Sequence, residues 1–409
     1  MRKQERTRTQ HQKASSKQAR DQLLTAWNSL KGSLGVAFAA WLAARVVTII
    51  GGWYGVAVIP QPGTQTTQPE SFGIFNSFYC WDSGWYKSVI EGYSWNGDTS
   101  VQQNVAFFPF YPIVVKLFTM IFPVNVELAQ LLVSQISFYF ALVVIHLISK
   151  RLIGPEAIYP VFFCALYPGA EFYFMGYSEG LFLLLTALTF YWVYNERWTS
   201  AGISAYLSAL TRSLGFLLVV PLAYEYWLYI RRRRQRIGLE SLAVIAPLLG
   251  LATYGFFLYV RFGDFLAWSK AQLAWRHHPT FFVFTIAREL QYAMHQPYWK
   301  LLPIFESNYS PTTLYFDLLC FFLISLFVGM GHKKIPLSMI LWTCILLIVP
   351  LQTGQSWNMV RFSAVAFPAF IALGGWCQER KAAAATWIAT STALLFAATA
   401  YTLSNRYIC

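Results

Sequence analysis

The chain has 409 residues, of which 56% are hydrophobic, 18% aromatic and only 12% charged, whereas a soluble domain carries roughly 25% charged residues. That composition excludes a soluble globular enzyme. The formal net charge of +13 is no nucleic-acid signal either, because much of it sits in two clusters beside apolar runs. The cysteines Cys80, Cys164, Cys320, Cys344, Cys377 and Cys409 are scattered, which indicates neither a zinc site nor a disulfide framework.

In chain order, residues 1–32 are basic and polar and read as a disordered cytoplasmic tail. They lack the apolar core and cleavage site of a signal peptide. A first span is predicted over 33–58 and a first extracytoplasmic loop over 59–127. That loop should hold two short helices, near 72–92 and 109–122. The second is apolar but bracketed by Pro109, Pro112 and Pro123, so it is predicted to lie in the membrane interface. Further spans are predicted near 128–149, 153–171, 177–194, 198–211, 213–230 and 238–260. A second long extracytoplasmic segment follows over 262–312, then spans near 313–331, 336–351, 360–376 and 383–402.

Charge tests this count. Lys150-Arg151, Asn195-Glu196-Arg197, the run Arg231-Arg232-Arg233-Arg234-Gln235-Arg236 and Lys333-Lys334 all fall on the cytoplasmic side if 109–122 does not cross, as the positive-inside rule requires. The prediction is an all-α polytopic membrane protein of about eleven spans, with residues 33–409 as one transmembrane domain. No repeat of 20–50 residues and no matched pair of broken helices stands out.

This topology collects unusual residues on the outer face. Trp81-Asp82-Ser83-Gly84-Trp85-Tyr86 sets a carboxylate among aromatics in the first loop, with Glu91 and Tyr93 just beyond. Glu171 and Glu179 flank the next external turn, and Arg212 caps the outer end of two spans. Arg276, His277 and His278 lie in the second long segment, and Arg361 opens the span at 360–376. Such convergence describes a site better than packing does. Aromatic planes suit sugar rings and Arg forks suit phosphate. No P-loop, dinucleotide fingerprint or nucleophile elbow is present, and nucleotide sugars are cytoplasmic.

Three runs in the first loop carry a resemblance: Trp81–Tyr86, Glu91-Gly92-Tyr93 and Ala106-Phe107-Phe108-Pro109-Phe110-Tyr111-Pro112. With Tyr167-Pro168-Gly169-Ala170-Glu171-Phe172-Tyr173, Tyr177-Ser178-Glu179, Thr211-Arg212-Ser213-Leu214-Gly215 and, more loosely, Arg361-Phe362-Ser363 and Pro368, they resemble the PIG-V family. These are the mannosyltransferases that add the second mannose of GPI anchors, and they have bacterial relatives. The resemblance covers residues 75–220 best. Leu214 departs from the Asn that family members often carry before the Gly.

The resemblance implies a GT-C glycosyltransferase fold with an extracytoplasmic active site and a polyprenyl-phosphate sugar donor, mannose first. The acceptor would be a hydroxyl of a glycolipid or glycan. Asp82 matches the acidic residue proposed as base in such enzymes, and the transfer would invert the anomeric centre. Arg361, then Arg212 and Arg276, would hold the donor phosphate. Trp81, Trp85, Tyr86, Tyr93, Glu171, Glu179, His277 and His278 would meet the substrates. No metal or other cofactor is called for. The bacterial plasma membrane is the preferred location, with the endoplasmic reticulum second.

Each residue also has a plainer reading. Asp82 would cap the helix that follows it. Glu171 and Glu179 would pair with Arg212, and Arg361 would anchor topology. His277 and His278 would be solvated, and Trp81 and Tyr86 would pack at the interface. Asn308-Tyr309-Ser310 matches a glycosylation sequon, a pattern frequent by chance. Competing functions are a transporter or flippase of lipid-linked saccharides, which should hold ionisable groups near the midplane, and a membrane glycan ligase.

Overall fold

A computed structural model describes residues 2–58, 77–275, 279–295 and 311–404. Among these residues the chain is helical, with no strand. The helices are α1 (Arg2–Val58), α2 (Asp82–Glu91), α3 (Phe110–Ile121), α4 (Val126–Ile153), α5 (Tyr159–Ala165), α6 (Glu179–Tyr194), α7 (Trp198–Thr211) and α8 (Val219–Arg233). They continue with α9 (Leu242–Phe262), α10 (Ala267–Ala271), α11 (Phe282–His295), α12 (Pro311–Gly331), α13 (Leu337–Leu351), α14 (Met359–Ala364), α15 (Phe367–Cys377) and α16 (Lys381–Leu403).

Among the described residues six stretches are long and apolar enough to cross a membrane: Asn28–Val58, Val126–Ile153, Ser213–Arg233, Leu239–Phe262, Leu314–Lys334 and Lys381–Leu403. The polarity of α1 is that of a lipid-facing helix. Its outward positions are large and apolar (Phe38, Leu42, Val46, Trp53), whereas Ala37, Ala40, Ala44 and Thr48 are buried. Small residues let membrane helices approach closely where no hydrophobic effect drives them together. Gly55 is the clearest case, since a Cβ there would fall on the backbone carbonyl of Ala400 in α16. Gly180 plays the same part between α6 and α4, where a Cβ would strike the carbonyl oxygen of Ser134. That contact seats the first turn of α6, and with it Glu179, against α4.

The structure departs from the predicted elements in four places. Residues 2–27 continue α1 as helix rather than forming a disordered tail; the segment is rich in Lys, Arg, Gln and Ala, all good helix formers. The predicted span over 153–171 is instead the seven-residue α5 followed by a 3-10 helix, Pro168–Tyr173. Pro160 and Pro168 start these two pieces, and proline cannot supply the N–H of a helix interior. The span predicted over 360–376 is broken into α14 and α15, with Pro368 in the first turn of α15. Finally, ionisable groups are not confined to one rim. Arg45 in α1, His146 in α4 and Asp317 in α12 are all buried within apolar helices.

Helix α3 has 12 residues. At about 1.5 Å per residue it reaches about 18 Å, well short of the ~30 Å hydrocarbon core. Helices α6 and α7 pack on one another and are joined by the Asn195–Arg197 turn. They therefore run back and forth between the two ends of the bundle. Glu179 and Arg212 share one end, and Tyr194 and Trp198 share the other.

Candidate active site

The first loop is built as two arms clamped by aromatic rings. Trp85 stacks on Phe107 with ring centroids 5.9 Å apart, and Tyr86 meets Phe107 and Tyr111 edge-on at 5.1 and 4.9 Å. Offset and edge-on rings suit the aromatic quadrupole. Asn104 ties the arms further, its amide donating to the carbonyl of Gly92 at 2.8 Å. The Tyr254 hydroxyl donates to the carbonyl of Val105 at 2.8 Å, joining this loop to α9. Trp275 closes the aromatic group against Trp85 at 5.6 Å and Phe107 at 5.9 Å.

This clamp presents Asp82 at the first position of α2. The helix is not capped by the Asp82 side chain, since the N-cap position is Trp81 and no side-chain cap bond forms there. Trp81 holds a φ of 41°, sparsely populated for a residue with a Cβ. Such strain persists only where the surroundings over-determine it, and it gathers at functional sites.

The Asp82 carboxylate points at Arg361, with Oδ2 to Nη1 2.5 Å. The Arg361 Nε also donates to Glu179 Oε1, and Arg212 Nη1 donates to the same oxygen. Two guanidiniums and two carboxylates thus form one chain, Asp82–Arg361–Glu179–Arg212, with no net charge. Glu179 is 1% exposed and Arg361 8%, while Asp82 is 21% exposed. The gradient matters: Glu179 is the interior anchor of the cluster, and Asp82 is its accessible end. A buried charge survives only when paired in this way.

A neutral shell surrounds the cluster. The Tyr86 and Ser178 hydroxyls bond at 2.6 Å, and Arg212 Nη1 donates to Ser178 Oγ at 3.3 Å. Burial pushes the Tyr86 phenol up to about 12, which keeps it neutral through the physiological range. The Arg361 guanidinium lies over the Tyr177 ring at 4.5 Å, a cation–π contact. The Tyr177 hydroxyl also accepts the Asp82 backbone N–H at 3.4 Å.

Arg361 itself is placed by a residue that sequence reasoning passed over. Asp317 in α12 is fully buried, and its Oδ1 accepts the Val360 N–H at 2.8 Å. The Asn358 and Met359 amides add to this hold. Asn358 opens α14 at a φ of 68°, a left-handed conformation that Asn tolerates better than most residues. An acid inside an apolar run was the available signal, since such residues in a membrane helix are rare and default to a functional role.

The other expected site residues divide. Tyr86 reaches the cluster through Ser178 but is buried, so it braces rather than faces a substrate; Trp81 adjoins Asp82, and Trp85 packs on Phe107 and Trp275. Tyr93 does not join it: its hydroxyl donates to the Phe107 carbonyl at 2.8 Å and its ring packs on Tyr254 and Phe257, so it braces the loop. Glu171 does not join it either. It is completely buried and its Oε1 accepts from the Thr402 hydroxyl at 3.0 Å, which ties the Pro168–Tyr173 turn to α16 instead of pairing with Arg212. Arg276, His277 and His278 lie outside the described residues, as does the Asn308 sequon.

No family model and no curated protein matches the chain. Among solved structures, it is similar to ArnT from Cupriavidus metallidurans in the apo state, at 11% identity and a TM-score of 0.47, over 90% of this chain and 76% of that one. It is similar to the Archaeoglobus fulgidus oligosaccharyltransferase tethered with an acceptor peptide, at 11% identity and a TM-score of 0.38 over 90% of this chain. A third is Archaeoglobus fulgidus AglB in complex with an inhibitory peptide and a dolichol-phosphate, at 12% identity and a TM-score of 0.38 over 89% of this chain. The chain spans 55% of the length of each of the latter two structures.

Proposed function

We propose that the chain is a membrane glycosyltransferase of the GT-C type, moving a sugar from a polyprenyl-phosphate donor to an acceptor hydroxyl on the extracytoplasmic side. The observation that carries this reading is the single guanidinium of Arg361 held between Asp82 and Glu179, with Asp82 as the accessible end. A phosphate binder and a base sit side by side, as one displacement step needs.

In this reading the lipid phosphate takes up the Arg361 fork, with Arg212 behind it, and its arrival competes with Asp82 for Arg361. The freed Asp82 carboxylate accepts the proton of the acceptor hydroxyl as that oxygen bonds to the anomeric carbon. The bond from the anomeric carbon to the phosphate oxygen breaks, and the departing phosphate charge is met by the guanidiniums. One displacement inverts the anomeric centre. Trp85, fixed by its ring contacts, offers an apolar face to the sugar or acceptor, and Tyr86, buried against Phe107 and Tyr111, braces it from behind. Glu179 keeps both arginines in place throughout. Mannose as the sugar, and a glycolipid or glycan as the acceptor, rest on the motif resemblance to the PIG-V family.

The test uses membranes containing the chain, radiolabelled polyprenyl-phosphate mannose and extracted lipid acceptors. Wild type should transfer label and Asp82→Asn should not. Equal transfer by the two would remove Asp82 from the chemistry, and no transfer by wild type would remove the donor class.

A carrier of lipid-linked saccharides is the second reading, favoured by Arg45. It lies in α1 at 4% exposure, with Nη2 3.5 Å from the Tyr173 carbonyl, its guanidinium against the Trp41 and Phe174 rings, and Nε and Nη1 without a hydrogen bond among the described residues. Buried charge within a span can mark a transport path. Movement of labelled lipid across vesicles without any change in its headgroup would favour this reading.

A further inference from the structure

The end of the bundle opposite Asp82 carries a cavity of about 410 Å³. It opens where α6 ends and α7 begins, at Tyr194 and Trp198. The 16 residues of α6 separate it from Glu179 by about 24 Å, so it belongs to a different site. Helix α8 from Tyr224 to Arg233, the end of α4 at Arg151 and Leu152, and Pro336 and Leu337 at the start of α13 complete its walls.

Three guanidiniums line it, Arg151, Arg232 and Arg233, against two carboxylates, Glu196 and Glu225. Both carboxylates are already engaged. Arg233 pairs with Glu196, and Glu225 accepts the Ser338 hydroxyl. Arg151 donates to the neutral amide oxygen of Asn195 at 3.0 Å. Among the described residues Arg232 pairs with no carboxylate. Accepting a hydroxyl leaves Glu225 its charge, so three guanidiniums against two carboxylates leave the lining with one net positive charge.

A topology signal needs only charge, not a shaped cavity. Here the arginine run is folded into one. Arg234 turns the chain at a φ of 50°, the Gln235 N–H bonds back to the Ile230 carbonyl at 3.1 Å, and the Gly238 N–H bonds to the Tyr226 hydroxyl at 3.0 Å. One wall is aromatic: Trp198 packs on Tyr226 and Tyr229 at 5.2 and 5.3 Å. Tyr194 and Glu225 add a polar patch to the lining, held from behind by the buried Ser338 hydroxyl, which lies 3.2 Å from the Tyr194 hydroxyl and donates to Glu225. Arginine forks fit phosphate oxygens, and Trp and Tyr mark the headgroup level of a bilayer.

We propose that this cavity binds a phosphate carried on a hydroxyl-bearing headgroup, with Arg151 and Arg232 on the phosphate and Tyr194 and Glu225 on the hydroxyls. The phosphate can come from an anionic lipid of the surrounding leaflet or from a soluble phosphate ester. The proposal stands independently of the glycosyltransferase reading.

The purified full-length chain in zwitterionic detergent is titrated with phosphatidylglycerol, with phosphatidylcholine, and with glycerol phosphate or inorganic phosphate, reading the apparent Tm. Phosphatidylglycerol should raise the Tm where phosphatidylcholine does not. The Arg151→Gln/Arg232→Gln variant should need roughly tenfold more lipid or greater for the same shift, the loss expected for charge-assisted bonds. Arg236→Gln removes the same charge from the same run outside the cavity and should respond as wild type does. A site-dependent shift with the soluble phosphates but not the lipid supports the site and assigns its source to the aqueous phase. Equal responses from all three proteins, equal losses in Arg236→Gln and the double variant, or no shift with any phosphate would overturn it. Arg232→Gln alone, which breaks no ion pair among the described residues, repeats the test if the double variant does not fold.

Discussion

Asp82 and Arg361 lie 279 positions apart in the chain, and their side chains meet at 2.5 Å. Each is delivered by a segment with a non-glycine residue at positive φ, Trp81 beside Asp82 and Asn358 at the start of α14. Neither partner is held by its own segment alone. The aromatic clamp of the first loop fixes one, and the Asp317 carboxylate fixes the other.

If Asp82 takes the acceptor proton, Asp82→Asn keeps the volume and removes the base. Transfer should fall by about 10²–10⁴-fold, the usual worth of a positioned general base. The loss should appear in kcat; Tm should also fall, since Arg361 and Arg212 then share one carboxylate, but less than for a change at the more buried Arg361. Steady-state transfer kinetics beside a melting curve decide the matter.

Arg361→Gln has a different signature. It leaves Glu179, 1% exposed, with only Arg212 as a cationic partner. Breaking a buried pair costs about 3–5 kcal/mol, so both activity and Tm should drop. Glu179→Gln in the same background should recover part of the Tm and none of the activity. A Tm unchanged by Arg361→Gln would mean that the pair is not buried as described.

Asp317 touches no proposed substrate and acts as a positioning residue through the Val360 amide. Asp317→Asn should lower kcat by about tenfold to a hundredfold, the scale of a displacement of about 1 Å at a catalytic group. A purely structural role would lower Tm and leave kcat per folded molecule intact. The comparison therefore requires activity normalised to the folded fraction.

Tyr86 gives a pH test. Its phenol is raised from 10.0 to about 12, so the folded chain keeps this proton to higher pH than the unfolded chain does. The contribution to stability is fully present below pH 10 and is lost as pH rises through about 12. Wild type should lose Tm across that window more steeply than Tyr86→Phe. The variant should start from a lower Tm at neutral pH, because the bond to Ser178 is worth about 0.5–1.5 kcal/mol. Parallel Tm profiles from pH 9 to 12 would place the alkaline loss elsewhere.

Gly180→Ala tests the seat of α6. The added methyl meets backbone, which cannot yield as a side chain does, and overpacking costs about 1–3 kcal/mol. A fall in Tm with a parallel loss of transfer is expected, since Glu179 moves with that turn. Unchanged melting would show that α4 and α6 can part without cost.

Much of this was legible in the chain because it depends on local composition. Apolar length marked most of the helices, and α3, α7 and α13 lie within one residue of their predicted ends. Trp81–Tyr86 drew attention to Asp82 because a carboxylate among interfacial aromatics is costly unless it is used. The same local reasoning failed where a partner decides the outcome. Glu171 and Glu179 look alike in sequence, each an acid near an external turn. One meets Thr402 of α16 and the other meets Arg212 and Arg361.

That the chain is a helical membrane protein, and that Asp82 is the residue to explain, follows from the order of residues alone, because hydropathy, proline and charge act over a few neighbouring positions. Which charges neutralise which depends on the folded chain. It joined Asp82 to Arg361, set Asp317 behind Arg361, withdrew Tyr93 and Glu171 into bracing roles, and buried Arg45. The reason is that the free energy of a buried charge is set by the groups within a few ångströms of it. Those neighbours come from distant parts of the chain.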